Sequence, residues 1–249
     1  MSDTIANRYD LLEAARVVYE PRYVRRLTRA LLEHAAPALA AAEHGAAPVV
    51  CAALVQAAPL KAALDELYQR VGVAFAKAEY RRLTSRSKAF APVSLIEGWG
   101  KRLRHFLQTE APLRLRGMVD TTRQLIADTL TSAAAQGLGS AEAARLLRAK
   151  VTELTPGRAL LIARTEIVAA SSYGSLLGAE ATGVDLLKVW LATSDGRTRE
   201  SHRAANGQAV ELSALFTVGG YPAKYPGDPM LPGAEVVNCR CCITYKPRS

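Results

Sequence analysis

Apolar residues recur at helical spacing through most of the first 180 positions. Within residues 23–43, Val24, Leu27, Leu31, Leu32 and Leu39 share a helix face. Within residues 60–84, Leu60, Leu64, Leu67, Val71 and Phe75 do the same. The alanine-rich stretch 35–58 favours helix, but Pro37, Gly45, Pro48 and Pro59 predict its division into short pieces. Further helices are predicted over 93–108 and 113–136, the latter stopped by Gly137 and Gly139. Ser140 suits the N-cap of a helix over 141–151. Thr155 then reads as a second N-cap, with Pro156 at the first helical position, where its missing N–H is harmless. That helix is expected to reach about Ala181, before Gly183. Beyond it the period shortens. Residues 186–192 read as a strand, a short helix begins near Thr198, and strands are expected at 209–212, 215–218 and 240–246, around a turn-rich stretch from 219 to 233. The pattern predicts an α+β fold: a helical N-terminal part followed by a C-terminal unit with a long helix packed on a small sheet.

Composition narrows the classes. A chain of 249 residues that is 49% hydrophobic can bury a core and is expected to form one or two domains, which excludes wholesale disorder. The longest apolar stretch, 46–60, is interrupted by Pro48, Gln56 and Pro59 and falls short of the roughly 20 residues of a membrane span, so no membrane partner is expected. The polar first ten residues lack the apolar region of a signal peptide, and export by that route is not expected. Cys51 stands alone and Cys239, Cys241 and Cys242 crowd together, unlike a secreted disulfide framework; a reducing compartment is the better reading. The net charge of +9 is uneven. Residues 1–150 hold 22 Lys/Arg against 14 Asp/Glu, and residues 151–249 hold 10 against 9. The groups Arg22/Arg25/Arg26/Arg29, Arg81/Arg82/Arg86/Lys88 and Lys101/Arg102/Arg104 are the candidate contacts to DNA phosphates, solvated helix faces being the plainer reading. Aromatic residues are sparse among them, which argues against stacking on single-stranded bases.

Four sets of residues invite a chemical reading. Arg164 and Glu166 lie on a mostly apolar helix two positions apart, so each is expected to pair with another segment as a clamp between helix and sheet. Ala170, Gly174 and Gly178, at four-residue spacing, form a shallow groove for a second backbone. Asp195, Arg199 and His202, with Asn206, admit three readings: an internal hydrogen-bond network, a phosphate site, or a hydrolase or nuclease with His202 as base. Cys239, Cys241 and His202 admit two: small buried thiols, or a partial zinc site. Spacing favours the first, because common zinc sites separate their cysteines by two to four residues. Strand alternation would put Cys239 and Cys241 on one face and Cys242 on the other. No phosphate loop, His-Glu-x-x-His pair or nucleophile elbow is present. No cofactor is expected.

The ordered series is more specific than any member of it. It runs from Gly137-Leu138-Gly139-Ser140 through Ile162-Ala163-Arg164-Thr165-Glu166, Lys188-Val189-Trp190, Asp195-Gly196-Arg197-Thr198-Arg199 with His202, and Asn206-Gly207, to Asn238-Cys239-Arg240-Cys241. It resembles the phage head-morphogenesis domain of the Mu F-like minor capsid proteins of tailed bacteriophages, over about residues 110–246. Cys242 departs from that pattern and leaves the role of the cysteines open. The resemblance divides the chain into a basic, Ala-rich helical region, 1–109, and a head-morphogenesis domain, 110–249. It implies a minor structural protein, not an enzyme, incorporated near the portal and assisting head assembly and DNA packaging or ejection. The implied partners are the portal protein and the major capsid protein, with double-stranded DNA touched through non-specific phosphate contacts. The implied location is the virion, at the capsid interior or portal vertex, after assembly in the host cytoplasm. Some relatives append a toxin or nuclease domain, and none is expected here. In this reading Arg164, Glu166, Asp195, Arg199 and His202 form a structural ionic network. The competing reading is a metal-dependent hydrolase or nuclease centred on Asp195 and His202.

Overall fold

A computed structural model of the chain describes residues 5–84, 91–110 and 112–248. In chain order the elements are α1 (Ile5–Val17), α2 (Glu20–Glu43), α3 (Pro48–Ala53), α4 (Ala58–Leu67), a π turn (Tyr68–Gly72), α5 (Val73–Leu83), α6 (Val93–Thr109), α7 (Pro112–Ala135), α8 (Ser140–Glu180), β1 (Leu186–Leu191), α9 (Glu200–Ala205), β2 (Ala209–Glu211), β3 (Phe216–Val218), β4 (Tyr221–Ala223), α10 (Gly233–Val236) and β5 (Cys242–Pro247). The fold is α+β, with its small antiparallel sheets at the C-terminal end. Two compact units are formed, and each runs across residue 109. One comprises residues 1–21, 65–108 and 161–249, and the other residues 22–64 and 109–160.

The second unit is helical. Ala35, Ala38 and Ala42 of α2, Cys51 and Val55 pack with Val119, Ile126, Leu130 and Ala133 of α7 and with Ala144, Leu147 and Val151 of α8. Small side chains let the helix axes come close, so burial here is extensive although each residue is small. The alanine-rich stretch is less broken than its prolines predict. α2 continues through Pro37, because the buried alanine stripe spans the proline on both sides. Pro48 and Pro59 do mark helix starts, as the first residue of α3 and the second of α4. Gly137, at φ 72°, closes α7 in the left-handed conformation that glycine adopts without penalty.

α8 is a single helix of 41 residues, not two. Thr155 does not cap a new helix. Its hydroxyl donates to the Val151 carbonyl at 2.6 Å, one turn back, and Pro156 sits inside the helix.

The first unit holds the mixed part of the chain. β1 is the middle strand of a sheet ordered β2-β1-β5, antiparallel throughout, with Val189 opposite Thr244 and Trp190 opposite Ile243. β3 and β4 form a separate hairpin through Gly219 and Gly220, both at positive φ. Glycine 174 and glycine 178 fulfil the groove reading. A Cβ on Gly174 would lie 2.0 Å from the Gly72 carbonyl oxygen, and one on Gly178 would lie 2.3 Å from that of Ala76. Tyr68, Phe106, Tyr173 and Tyr225 stack in succession at centroid distances of 5.5, 4.9 and 5.3 Å. Trp190 is fully buried and meets Phe216 edge-on at 5.3 Å. Helix α1, the hairpin strand β4 and the short helix α10 carry no strong periodicity and were not predicted from the pattern.

By length and composition, residues 48–83 are apolar enough to cross a bilayer. The chain nonetheless leaves the helical path between α3 and α4, and α5 buries the carboxylate of Glu79 between Arg8 and Arg82.

Candidate functional site

The polar residues singled out after β1 all fall in the first unit, where three segments supply them. The loop after β1 brings Asp195, α9 brings His202, and the turn before β5 brings residues 238–241. Asp195 organises its own loop. Its carboxylate accepts the Arg197 N–H at 3.0 Å and the Thr198 hydroxyl at 3.1 Å. It also receives a bidentate pair of bonds from Arg240, at 2.5 and 2.7 Å. The Arg240 guanidinium, ahead of these local donors, holds the Asp195 carboxyl well below the usual carboxylate range. Asn206 accepts the Ala192 N–H at 2.9 Å and so ties the end of α9 to the end of β1.

His202 faces the cysteines. Its Nδ1 lies 3.2 Å from Cys241 Sγ and 3.6 Å from Cys239 Sγ, and all three side chains are buried. On the far side of the ring, Nε2 lies 2.9 Å from a Glu235 oxygen, a charge contact outside good hydrogen-bond alignment. Ser201 donates to that oxygen at 2.8 Å. Gly219 leaves the room, since a Cβ there would come within 2.9 Å of the same carboxylate. Trp190 stands perpendicular to the imidazole at 5.9 Å. Burial alone would lower the His202 pKa, but the Cys239 sulfur and Glu235 outweigh it and raise it. The Cys241 thiol, donating to Cys239, and next the imidazole lower the Cys239 pKa, and the same pairing raises that of Cys241. These three residues are the group of His, Cys, Asp and Glu side chains that could hold a metal ion among the described residues. Left-handed Asn238, at φ 56°, turns the chain into this arrangement.

Cys242 points elsewhere, as the alternation predicted. Arg16 of α1 reaches its sulfur at 2.9 Å and also donates to the Cys241 carbonyl at 2.8 Å, Ser171 at 2.7 Å and Ser172 at 3.0 Å. Burial pushes the Cys242 thiol up to about 11.

The five residues proposed as one ionic network are not joined into one. Arg164 donates to Glu20 at 2.8 and 3.0 Å, and about half of its side chain is exposed, so it is not an enclosed charge. Such a pair contributes about 1 kcal/mol or less. Glu166 is buried and accepts the Tyr68 hydroxyl at 2.7 Å. Arg199 donates to the Val237 carbonyl at 2.7 Å. Asp195 and His202 therefore serve different partners, because each finds its complement on a segment far away in sequence. A cleft of about 590 Å³ lies beside them, lined by Arg16, Arg164, Arg197, Arg199 and Arg240 with Glu13 and Glu20. Four of these arginines are engaged by the protein itself.

The basic groups are spread over both units. Arg22, Arg25 and Arg29 of α2 are exposed and Arg26 is half-buried. Arg81 and Lys101 are exposed, Arg82 turns inward to Glu79 and the Tyr245 carbonyl, Arg102 meets Glu180 at 2.7 Å, and Arg104 meets Gln69 at 3.0 Å. Arg86 and Lys88 lie outside the described residues.

Residues 124–244 match the family described as Phage Mu protein F like protein. This stretch of the chain belongs to that family. The Mu F-like stretch contains the whole Asp195–Arg240 and His202–Cys239–Cys241 arrangement. Two curated relatives are similar to the chain. Over 133 residues it is 35% identical to the NAD(+)--arginine ADP-ribosyltransferase EFV of Enterococcus faecalis, covering 51% of this chain and 26% of that protein. Over 139 residues it is 31% identical to the Minor head protein GP7 of Bacillus phage SPP1, covering 53% of this chain and 45% of that protein. The chain thus spans less than half the length of either relative. No solved structure matches.

Sequence reasoning named His202, Cys239, Cys241, Asp195 and Arg199 but missed Arg16, Glu235 and Arg240 as partners. Arg240 stood inside a quoted motif. Arg16 and Glu235 left no local signal, since nothing in their neighbourhoods marks them from other helix-borne charges.

Proposed function

We propose that this chain is a minor head protein of a tailed bacteriophage, a non-enzymatic component of the virion that assists head assembly and DNA packaging or ejection. The observation that carries the reading is the Mu F-like match over residues 124–244, joined by the likeness to the Minor head protein GP7. The geometry agrees with a scaffold. Asp195 is neutralised by Arg240, His202 is sealed from solvent, and Glu166 lies under Tyr68. These groups do not converge on one open site, which is what hydrolysis centred on Asp195 and His202 would require. The partners in this reading are the portal protein and the major capsid protein, with DNA met through exposed basic residues.

The test is assembly. The tagged chain is expressed together with the portal and major capsid proteins of its own phage, and heads are purified by size. The chain is expected to co-purify with heads in a few copies and to depend on the portal for entry. Heads that form, package DNA and infect equally well without it would overturn the reading. The likeness to an ADP-ribosyltransferase gives a second assay. Incubation with labelled NAD and an arginine-bearing acceptor is expected to leave the acceptor unlabelled, and transfer of label would refute the non-enzymatic assignment.

A further inference from the structure

We propose that His202, Cys239 and Cys241 bind one zinc ion, with Glu235 holding the imidazole in position from behind. The inference is independent of the head-protein reading and rests on four observations. First, the two sulfurs and Nδ1 lie within 4.8 Å of one another. A tetrahedral zinc ion, with Zn–S near 2.3 Å and Zn–N near 2.0–2.1 Å, sets its sulfur and nitrogen ligands roughly 3.5 Å apart. The distances here are 3.2 and 3.6 Å. Second, the ring presents one nitrogen to both sulfurs and the other to a carboxylate, 2.9 Å away. Metal-bound histidines recurrently carry such a carboxylate behind them, because it fixes the tautomer and raises the basicity of the ligating nitrogen.

Third, the surroundings hold this arrangement in place. Trp190 fixes the plane of the ring, Ser201 holds Glu235, and Gly219 makes space for the carboxylate. Fourth, Cys242 is turned away to Arg16, so the adjacent cysteine is excluded from the ligand set. Two thiolates and a neutral imidazole cancel the charge of a divalent ion, which allows the group to be buried without an uncompensated charge. Binding releases the protons of Cys239 and Cys241 to solvent. The chemistry is that of a borderline-soft cation with nitrogen and sulfur ligands, and the fourth position is left to water. The short Cys-x-Cys spacing had argued against a metal. It is accommodated because residues 239–241 precede the strand and are turned by Asn238.

The experiment measures metal content and then cobalt binding to the chelator-stripped full chain. About one zinc per chain is expected after purification from zinc-supplemented culture, and cobalt is expected to give the intense visible bands of tetrahedral thiolate coordination. Cys239→Ser, Cys241→Ser and His202→Ala are each expected to abolish the bands, while Cys51→Ser retains them. Glu235→Gln leaves every ligand in place and is expected to weaken zinc binding about 10–100-fold. It decides the matter if the ligand variants do not fold. Less than about one-tenth of a zinc per folded chain with no cobalt bands would overturn the proposal, since structural sites bind tightly. So would full metal content in Cys239→Ser, unchanged affinity in Glu235→Gln, or a disulfide joining Cys239 and Cys241 in the purified protein.

Discussion

The guanidinium of Arg16 is 4% exposed and donates to two serine hydroxyls, a main-chain carbonyl and a thiol, joining α1, α8 and the turn before β5. Arg16→Ala would strand these acceptors in the interior. We expect it to destabilise by about 3–5 kcal/mol in chemical denaturation, the range for breaking a buried charged contact. Asp195 and Lys188 give opposite responses to pH. The folded Asp195 carboxyl is depressed by Arg240. Its contribution is complete above the unfolded value of about 3.9 and is lost as pH falls toward the lower folded value. Asp195→Asn should therefore lower the melting temperature at pH 6 and converge with the parent in strong acid. Lys188 is fully buried, donates to the Lys224 carbonyl at 2.9 Å, and is brought down to about 8 by burial against the pull of Asp228. Between pH 8 and the unfolded value of about 10.4, the unfolded state binds more protons, so stability attributable to this residue rises with pH. Melting curves of Lys188→Met and the parent should draw together over that interval, with the variant the more stable at pH 7. At this scale the sequence disclosed which residues were out of place but not their partners. Arg164 and Glu166 were marked by their apolar neighbours, yet Glu20 and Tyr68 lie 144 and 98 positions away.

Among the elements, the contact between α8 and the helical segment 68–83 is the closest-fitting. The Gly174 Cα faces the main chain of Gly72, which cannot yield as a side chain would. Gly174→Ala should cost about 3 kcal/mol or more despite alanine's higher helix propensity, measured as a fall in the denaturation midpoint. Here the sequence was a good guide, because a four-residue repeat of small residues is a local signature of close helix approach. Pro156 was a poor one. A proline after threonine fits a helix start, but the same pair fits a helix interior when the threonine hydroxyl bonds the preceding turn, as Thr155 does with Val151. Only packing on both sides of Pro156 decides between them, and packing is not written in a five-residue window. α1 was missed for a related reason: its outward face is polar and its inward face carries Arg16, so no apolar stripe announces it.

For the molecule as a whole, the positive charge is concentrated before residue 150. If the exposed arginines of α2 meet duplex DNA, binding should weaken steeply with salt. Replacing Arg25 and Arg29 by glutamine should then lower the slope of log K against log salt by about 2, without altering preference among DNA sequences. A titration series at several salt concentrations checks this, and an unchanged slope would remove α2 from the contact. Charge asymmetry was legible from composition alone. Which basic residues face outward was not: Arg82, Arg102 and Arg104 resemble Arg25 in the sequence but are engaged with Glu79, Glu180 and Gln69.

The π turn at Tyr68–Gly72 carries a consequence for insertions and deletions. A wide turn of this kind accommodates one residue more than an α-helix of the same rise. Removing one residue there would restore ordinary helical hydrogen bonding while swinging all that follows by about 100° around the axis. Phe75 and Ala76 would leave the seam, and Glu79 would lose both arginine partners. A single-codon deletion at this place should thus be far more damaging than the same deletion in the loop beyond Val55, although it would shorten the chain equally and leave the local backbone more regular.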